Sequence, residues 1–501
     1  MYSLHDVKIT GVSLDRILSC EIESHIGEHS TLVLSGYADN EELLLDVPDC
    51  HDIEVSIQDK EGTKILFSGI VSSIHVTKAG QMKTVWIEGK SRSWLMDRKK
   101  RSRSFQDAQT TYQALVEEVL KDYEKSSLIY AGECFQTEAL IIQYEETDWV
   151  FLKRVLSKAG LVLTPDSRAP GISLYAGVPA FPESTLIYSV LEMNKDMRSY
   201  YRLKANQRMV HPADFTQYVI SSEQLMGIFE TALVQGQPLA AYACRYSFDA
   251  QELTGTYWMQ SKKGLSVQAS YPMHLIGAAL MAKVVDVKKN QIRAAMEIDG
   301  THTERAVHWF SYSTLSASPD GSGWYCMPEI GDDVRIHFPS KVEEEAVALS
   351  AVSGYEAPQG ESDRMQDPNS RYLRTRFGQE LALNPNEASL SCGGMSGIRI
   401  LSDGSLNIYA KESVCVQAAE KITLHAEENL TIHVKEQFQM QSIHHQHNRL
   451  YPCKPAGCAE DRAHLQLHQQ GGILSGKGLG IQLRQPHLPR HQRYRAHQNP
   501  S

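Results

Sequence analysis

His444, His445 and His447 place three imidazoles within four residues near the C-terminus. Imidazole nitrogens are common ligands of zinc and other transition metals, and three copies of the chain meeting here would bring them around one ion. A solvated polar cap is the alternative interpretation, and no other cofactor is predicted. Four further residues have zinc-ligand types but no recognised zinc-site spacing: Cys453, Cys458, His464 and His468.

Glu343, Glu344 and Glu345 are three consecutive carboxylates, and a pair of carboxylates is what a glycosidase needs. A run of like charges is more typical of a solvated loop. The sequence contains no nucleophile elbow, phosphate-binding loop or zinc-protease helix. We therefore predict no catalytic residues and no enzymatic activity.

The bulk composition is that of an ordinary globular protein of several domains, with 42% hydrophobic and 22% charged residues in 501. A formal net charge of -10 argues against a nucleic-acid partner, because phosphate contacts need a basic surface. Residues 1–6 have neither a basic start nor an apolar run, which predicts synthesis in the cytoplasm without a secretory signal. Nine scattered cysteines indicate reduced thiols rather than a disulfide framework.

Short runs that alternate apolar and polar residues predict a first β-barrel over residues 1–95. The basic run 98–103 is interpreted as a solvated loop rather than a nucleic-acid site, since nothing basic surrounds it. A helical connecting region over 96–174 follows. Its first helix starts near Tyr112 after a cap at Asp107 or Thr110.

The second helix is capped by Thr147 and stops at Gly160. Mixed β patterns then predict a second barrel over 175–265, and about five alternating strands over 271–355 predict a closed barrel of the OB type. A polar segment over 356–380 is interpreted as a linker.

An eight-residue period dominates the segment 381–441. Positions one and three of each unit are apolar, and seven successive units keep this register without an insertion. The pairs are Leu390/Cys392, Ile398/Ile400, Leu406/Ile408, Val414/Val416, Ile422/Leu424, Leu430/Ile432 and Phe438/Met440. Position seven is glutamate in four consecutive units, which marks a repeated corner facing solvent: Glu412, Glu420, Glu428 and Glu436.

This period favours a homotrimer. A two-residue apolar step every eight residues gives short strands with one apolar face, and one chain cannot enclose that face alone. Three copies about one axis would each supply a wall of a triangular prism. The ten residues predicted to form the trimer core are Ile398, Ile400, Leu406, Ile408, Val414, Val416, Ile422, Leu424, Leu430 and Ile432.

Over about residues 1–441 the order of these elements resembles the VgrG spike proteins of type VI secretion and the fused hub and spike of contractile phage tails. Four local motifs carry the resemblance: Trp94–Gln106 after the first barrel, Tyr144–Arg154 at a helix start, Gly323–Val334 in the OB region, and Arg374–Glu380 before the repeat. One departure concerns the octads, which have little of the glycine that the family often places beside valine.

The resemblance implies a mainly β protein with N-terminal β-barrel hub domains, inserted helices, an OB-fold barrel and a C-terminal trimeric β-helix spike. It implies a homotrimer that joins a tail tube protein and baseplate proteins to a needle. It also implies that this needle is driven through a target membrane outside the cell. A PAAR-like tip protein and effectors are further expected partners.

Two alternatives remain open from the sequence. The same triple helix could form a receptor-binding or carbohydrate-binding tail fibre, and a β-helix cleft could serve a polysaccharide lyase, although the octad period and the absence of an inserted hydrolase domain count against an enzyme. Residues 442–501 are rich in histidine and glutamine and show no periodicity. We interpret them as a disordered extension or a frame-shifted tail, with an effector-like or tip-binding tail as the alternative.

Overall fold

A computed structural model describes residues 2–3, 6–38, 48–59, 62–80, 82–205, 209–249, 252–350, 354–360, 362–436 and 439. The chain divides into two compact units, unit 1 with residues 1–354 and unit 2 with residues 355–501. Strands are the main regular structure of the described residues and helices are few, which confirms the predicted mainly β class. Among them, no helix has both the length and the apolar character that a bilayer crossing requires.

Residues 1–265 are called the hub domain after the resemblance given above, and their first part is built from strands whose alternate side chains enter one core. On the strand Met82–Ser91, for example, Val85 and Ile87 are fully buried while Trp86 and Glu88, which alternate with them, are exposed. The six strands are β1 (Val7–Thr10), β2 (Arg16–His25), β3 (Thr31–Tyr37), β4 (Asp52–Asp59), β5 (Gly62–Ala79) and β6 (Met82–Ser91).

The second part of the hub continues the same sheet. Its elements are β12 (Glu183–Thr185), β13 (Val190–Lys195), helix α3 (Met197–Ala205), β14 (Thr216–Ser222), β15 (Thr231–Val234), β16 (Gln237–Asp249) and β17 (Glu252–Gln260). Strand β16 pairs antiparallel with β2, from Ala243 opposite His25 to Ser247 opposite Glu21. The sheet order is β1-β4-β5-β6-β3-β2-β16-β17-β14-β13, with β15 on β16 and β12 on β15. The two segments predicted as separate barrels thus share one sheet and one core.

A connecting region separates the two parts of the hub in sequence. It holds β7 (Lys100–Phe105), α1 (Tyr112–Leu120), β8 (Ser126–Tyr130), β9 (Ile141–Thr147), α2 (Asp148–Lys158), β10 (Leu163–Pro165) and β11 (Ile172–Ala176). Thr147 caps α2 by accepting from the Val150 amide, as predicted, and Gly160 follows the helix with φ +76°. The cap of α1 is Thr111, not Asp107 or Thr110, because its hydroxyl accepts from the Ala114 amide.

The OB region forms a closed five-stranded barrel in the order β18-β19-β20-β22-β21. Its strands are β18 (Ala279–Lys288), β19 (Gln291–Met296), β20 (Trp309–Tyr312), β21 (Asp333–His337) and β22 (Val347–Ser350). Phe310, Ile336 and Phe338 are fully buried in its core. Leu140 and Ile142 of the connecting region belong to the same core, so the barrel is completed by residues from outside its own segment.

The second unit begins with a five-stranded antiparallel meander, β23 (Arg371–Arg374), β24 (Gln379–Asn384), β25 (Glu387–Cys392), β26 (Ser396–Leu401) and β27 (Leu406–Ala410). Strand β23 lies inside the segment predicted as a linker, and that prediction is corrected there. The alternation of Arg371–Arg374 is too short to recognise from sequence, and its pairing with β24 creates the strand. No strand follows between residues 411 and 436, all of which the structure describes.

We expect Phe310→Ala to lower the free energy of unfolding by about 3–5 kcal/mol, because it empties the centre of the OB core. Urea unfolding of the full chain followed by circular dichroism measures the change. Leu315→Ala, at a side chain that is 88% exposed, is the control and should stay within about 0.5 kcal/mol of the wild type. Equal effects of the two substitutions would contradict the assignment of Phe310 to the core.

Candidate assembly surface

One face of the meander β23–β27 is a continuous apolar surface. The cross-strand register places Leu373, Leu381, Leu390, Ile398 and Ile408 in one row from strand to strand. A second row runs beside it through Leu383, Ala388, Ile400 and Leu406. Residues two apart on a strand share a face, so both rows lie on the same side of the sheet. We call this side the apolar face.

The aliphatic side chains of the apolar face are left exposed by the described residues of unit 2. Eight of them are 41–59% exposed: Leu373, Leu381, Leu383, Leu390, Ile398, Ile400, Leu406 and Ile408. In unit 1, by contrast, the inward-facing aliphatic side chains of the barrel strands are buried in two cores. Monomeric soluble proteins rarely leave so many neighbouring aliphatic groups in water. The apolar face is therefore a candidate association surface.

The opposite face of the same sheet is charged and paired. Arg399 lies 3.4 Å from Glu387 and stacks over the Tyr409 ring at 5.6 Å. Glu380 accepts from Arg364 at 2.9 Å and from Arg374 at 3.4 Å. Exposed ion pairs of this kind contribute little stability. Their presence does show which side of the sheet faces water.

The sequence-predicted core residues fall in two groups. Ile398, Ile400, Leu406 and Ile408 lie on β26 and β27 within the apolar face. The other six, from Val414 to Ile432, follow β27 in a segment without strands, and each is 39–72% exposed. The last predicted pair, Phe438 and Met440, lies outside the described residues.

Three members of the apolar face were missed by sequence reasoning. Leu373, Leu381 and Leu383 precede the octads, and Leu381 is nine residues before Leu390 rather than eight. A search for the two-residue step alone, without the period, would have found Leu381 and Leu383. Leu373 has no such signal, since only its pairing with Leu381 places it in the row.

Two charged segments differ from their predicted roles as solvated loops. Glu343 is buried and ion-paired with Arg154 and Lys158, while its neighbour Glu344 is exposed. In the basic run, Arg103 binds Asp122 at 2.9 Å and the buried Asp148 at 2.6 Å. Both predictions failed because the partner carboxylates and cations lie far away in sequence.

The metal prediction cannot be placed on the described residues. His444, His445 and His447 lie outside them, as do Cys453, Cys458, His464 and His468. Within the described part of the chain, no group of three or more histidine, cysteine, aspartate or glutamate side chains is arranged to hold a metal ion.

Comparison with known proteins matches two segments of the chain. The phage tail baseplate hub (GPD) family profile matches residues 26–171, and the type VI secretion system/phage-baseplate injector OB domain profile matches residues 280–352. These segments are the first hub region with its connecting region, and the closed OB barrel. The chain therefore carries a phage tail baseplate hub domain and an injector OB domain. These domains give it the baseplate hub function of type VI secretion or phage tail systems.

Solved structures share the fold of this hub protein. The E. coli c3393 protein, a component of the type VI secretion system, is 15% identical and aligns over 69% of this chain and 99% of its own, with a TM-score of 0.51. A chain of the half-lidded Francisella PdpA–VgrG complex is 10% identical and aligns over 80% of this chain and 87% of its own, with a TM-score of 0.50. No curated protein matches the chain by sequence.

Ser93, His29 and Asp97 of the hub protein have the composition of a hydrolase triad. His29 Nδ1 lies 2.8 Å from Ser93 Oγ, and His29 Nε2 lies 3.7 Å from Asp97. Ser93 is only 2% exposed and also contacts Ser91 Oγ at 2.8 Å. A substrate carbonyl cannot reach a hydroxyl so enclosed, so these residues form a buried polar chain in the hub rather than a nucleophile.

The polar side-chain network of Ser93, His29 and Asp97 makes the stability of the hub depend on pH. Burial lowers the pKa of His29 from 6.5 to about 4, against the opposing attraction of Asp97. Because the unfolded imidazole binds its proton near pH 6.5, the unfolded state holds more protons than the folded state between about pH 4 and pH 6.5. The hub therefore loses stability as the pH falls through this window.

We expect His29→Gln to reduce that loss, because it removes the group that must stay neutral in the fold. Melting temperatures measured from pH 7 to pH 4 should fall less steeply in the variant than in the wild type. His25→Gln removes an exposed imidazole four residues away and serves as the control. A wild-type slope in His29→Gln would contradict the assignment.

For the apolar face, we expect Ile408→Asp to abolish self-association of the hub protein, because a carboxylate would have to be buried without a partner. Asn407→Asp adds the same charge to the opposite face of the same strand and should leave association unchanged. Sedimentation velocity of the two variants measures the difference. Association of Ile408→Asp at wild-type strength would show that the apolar face is not an interface.

Proposed function

We propose that the hub protein works as a homotrimer in which three copies bury their apolar faces about one axis and form a rigid β-helical spike. The observation that carries this proposal is the row of uncovered leucine and isoleucine side chains across β23–β27. Burying one aliphatic side chain yields roughly 2 kcal/mol. Several such contacts per copy favour association even after the entropy cost of assembly.

Three copies fit the repeat better than two. Two copies packed face to face would cover the sheet as a sandwich. The glutamate-bearing corners at the ends of the strands would then lie next to the interface. In a triangular prism each wall ends at a corner, and the glutamates at position seven of the octads stay in solvent: Glu412, Glu420, Glu428 and Glu436.

In this proposal the hub joins the tail tube and baseplate to the spike, which crosses the target membrane when the machine contracts. The particle is assembled from cytoplasmic components and its tip is delivered outside the cell. A PAAR-like tip protein, effectors and a metal ion at the tip remain proposals. The protein acts mechanically and not as an enzyme. The matching families and the E. coli relative, a component of the secretion apparatus, support this.

Light scattering coupled to size-exclusion chromatography tests the trimer. The expected mass is three times 56.2 kDa. We expect Ile422→Asp to prevent assembly, since it places three negative charges on the shared axis. Thr423→Asp, at the adjacent outward position, is the matched control and should assemble. A monodisperse wild-type monomer would overturn the proposal, and a trimeric Ile422→Asp would remove the octads after β27 from the core.

A further inference from the structure

The side chain of Glu343 extends from the OB barrel into the connecting region of the hub. It lies in the 3-10 turn Glu343–Glu345 between β21 and β22, and only 2% of it is exposed. Its carboxylate accepts from the Ile142 amide at 3.1 Å, from Arg154 Nη1 at 3.1 Å and from Lys158 Nζ at 2.5 Å. All three donors belong to β9 and α2 of the hub. One OB side chain therefore satisfies three hub donors.

The cations that face Glu343 depend on it for charge balance. Arg154 is 3% exposed and also binds Glu146, at 2.8 Å from Nη2 and 3.0 Å from Nε. The carboxylates of Glu343 and Glu146 and the cations of Arg154 and Lys158 thus form one ion-paired group that is buried except for part of Lys158. Removing one charge from such a group is far more destabilising than replacing all of it with apolar side chains.

Strands β7 and β9 pair antiparallel in a two-stranded sheet. Glu343 binds β9, and a second carboxylate of the OB barrel, that of Asp299, binds β7. Asp299, in the 3-10 turn Glu297–Asp299, accepts from the Ser104 amide at 2.6 Å and from its hydroxyl at 2.5 Å. Ser104 on β7 and Ile142 on β9 are direct cross-strand partners. In an antiparallel pair whose amides both point away from each other, each amide needs a partner beyond the strand pair. The OB barrel supplies a carboxylate to each.

We propose that Glu343 and Asp299 form a carboxylate clamp that attaches the β7–β9 strand pair of the hub to the OB barrel. The clamp makes the hub and the barrel move as one rigid body. Resting on the proposed spike function, the clamp would prevent bending between hub and barrel under axial force. The shared core residues Leu140 and Ile142 add apolar contact at the same joint. Glu343 is a positioning residue and makes no contact with a partner protein in this proposal.

The test uses the full-length protein and the substitution Glu343→Gln. Hydrogen exchange followed by mass spectrometry reports directly on the clamp, because the Ile142 amide donates to Glu343. We expect exchange in peptides covering residues 140–147 to accelerate by about tenfold or more, with peptides from β2 and β3 unchanged. We also expect the melting temperature of the OB barrel to fall by about 5 °C and separate from that of the hub.

Glu344→Gln removes the same charge from the exposed adjacent residue and is the matched control, expected to behave as the wild type. Exchange in Glu343→Gln within about twofold of the wild type, with one melting transition, would overturn the proposal.

If Glu343→Gln does not fold, Lys158→Met provides a milder second variant, because Lys158 is only partly buried. The double variant Glu343→Gln/Lys158→Met restores charge balance and should recover part of the lost protection. Strict additivity of the two single effects would contradict direct coupling. Light scattering of each variant separates the two proposals. Trimers with fast Ile142 exchange support both, whereas a monomeric wild type overturns the spike proposal and leaves the exchange result to decide the clamp.

Discussion

The structure of the second unit depends on one constraint, which is that nothing among its described residues covers its apolar face. The rows through Leu390 and Ile400 alternate correctly with charged residues on the other side, so the sheet itself is well formed. A sheet needs a second layer to bury its apolar side. The first unit satisfies this requirement internally, whereas the described part of the second unit does not. The proposed association rests on that difference rather than on any special recognition motif.

Unit 1 buries its apolar side chains because its segments share strands and core residues with one another. Strands β2 and β16 join the two parts of the hub into one sheet, and the connecting region lends Leu140 and Ile142 to the OB core. Charged groups are shared in the same manner, since Glu343 and Asp299 satisfy backbone amides of another segment. Each segment is therefore incomplete without its neighbour. A hub built this way is suited to transmitting force without an internal hinge.

The local signals in the sequence were reliable where the physics is local. Thr147 was identified as a helix cap and Gly160 as a helix stop, because a side-chain oxygen and a residue without Cβ satisfy local backbone requirements. The alternation on β6 and on the OB strands gave the strands and their buried faces. The octads likewise identified the apolar positions of β26 and β27. Their burial in a trimer stays a prediction.

The sequence by itself determined the strand-rich class, the two helices with the cap of α2, and the apolar positions of the repeat, because each depends on residues within one or two turns or strands. Only the tertiary structure decided that Glu343 is buried, that Arg103 is a structural ion-pair residue and that Leu373 extends the apolar face. Those roles depend on Arg154, Asp148 and Leu381, which reach them only through folding or strand pairing. A charge in a sequence does not reveal its partner, and a short strand does not reveal its neighbour.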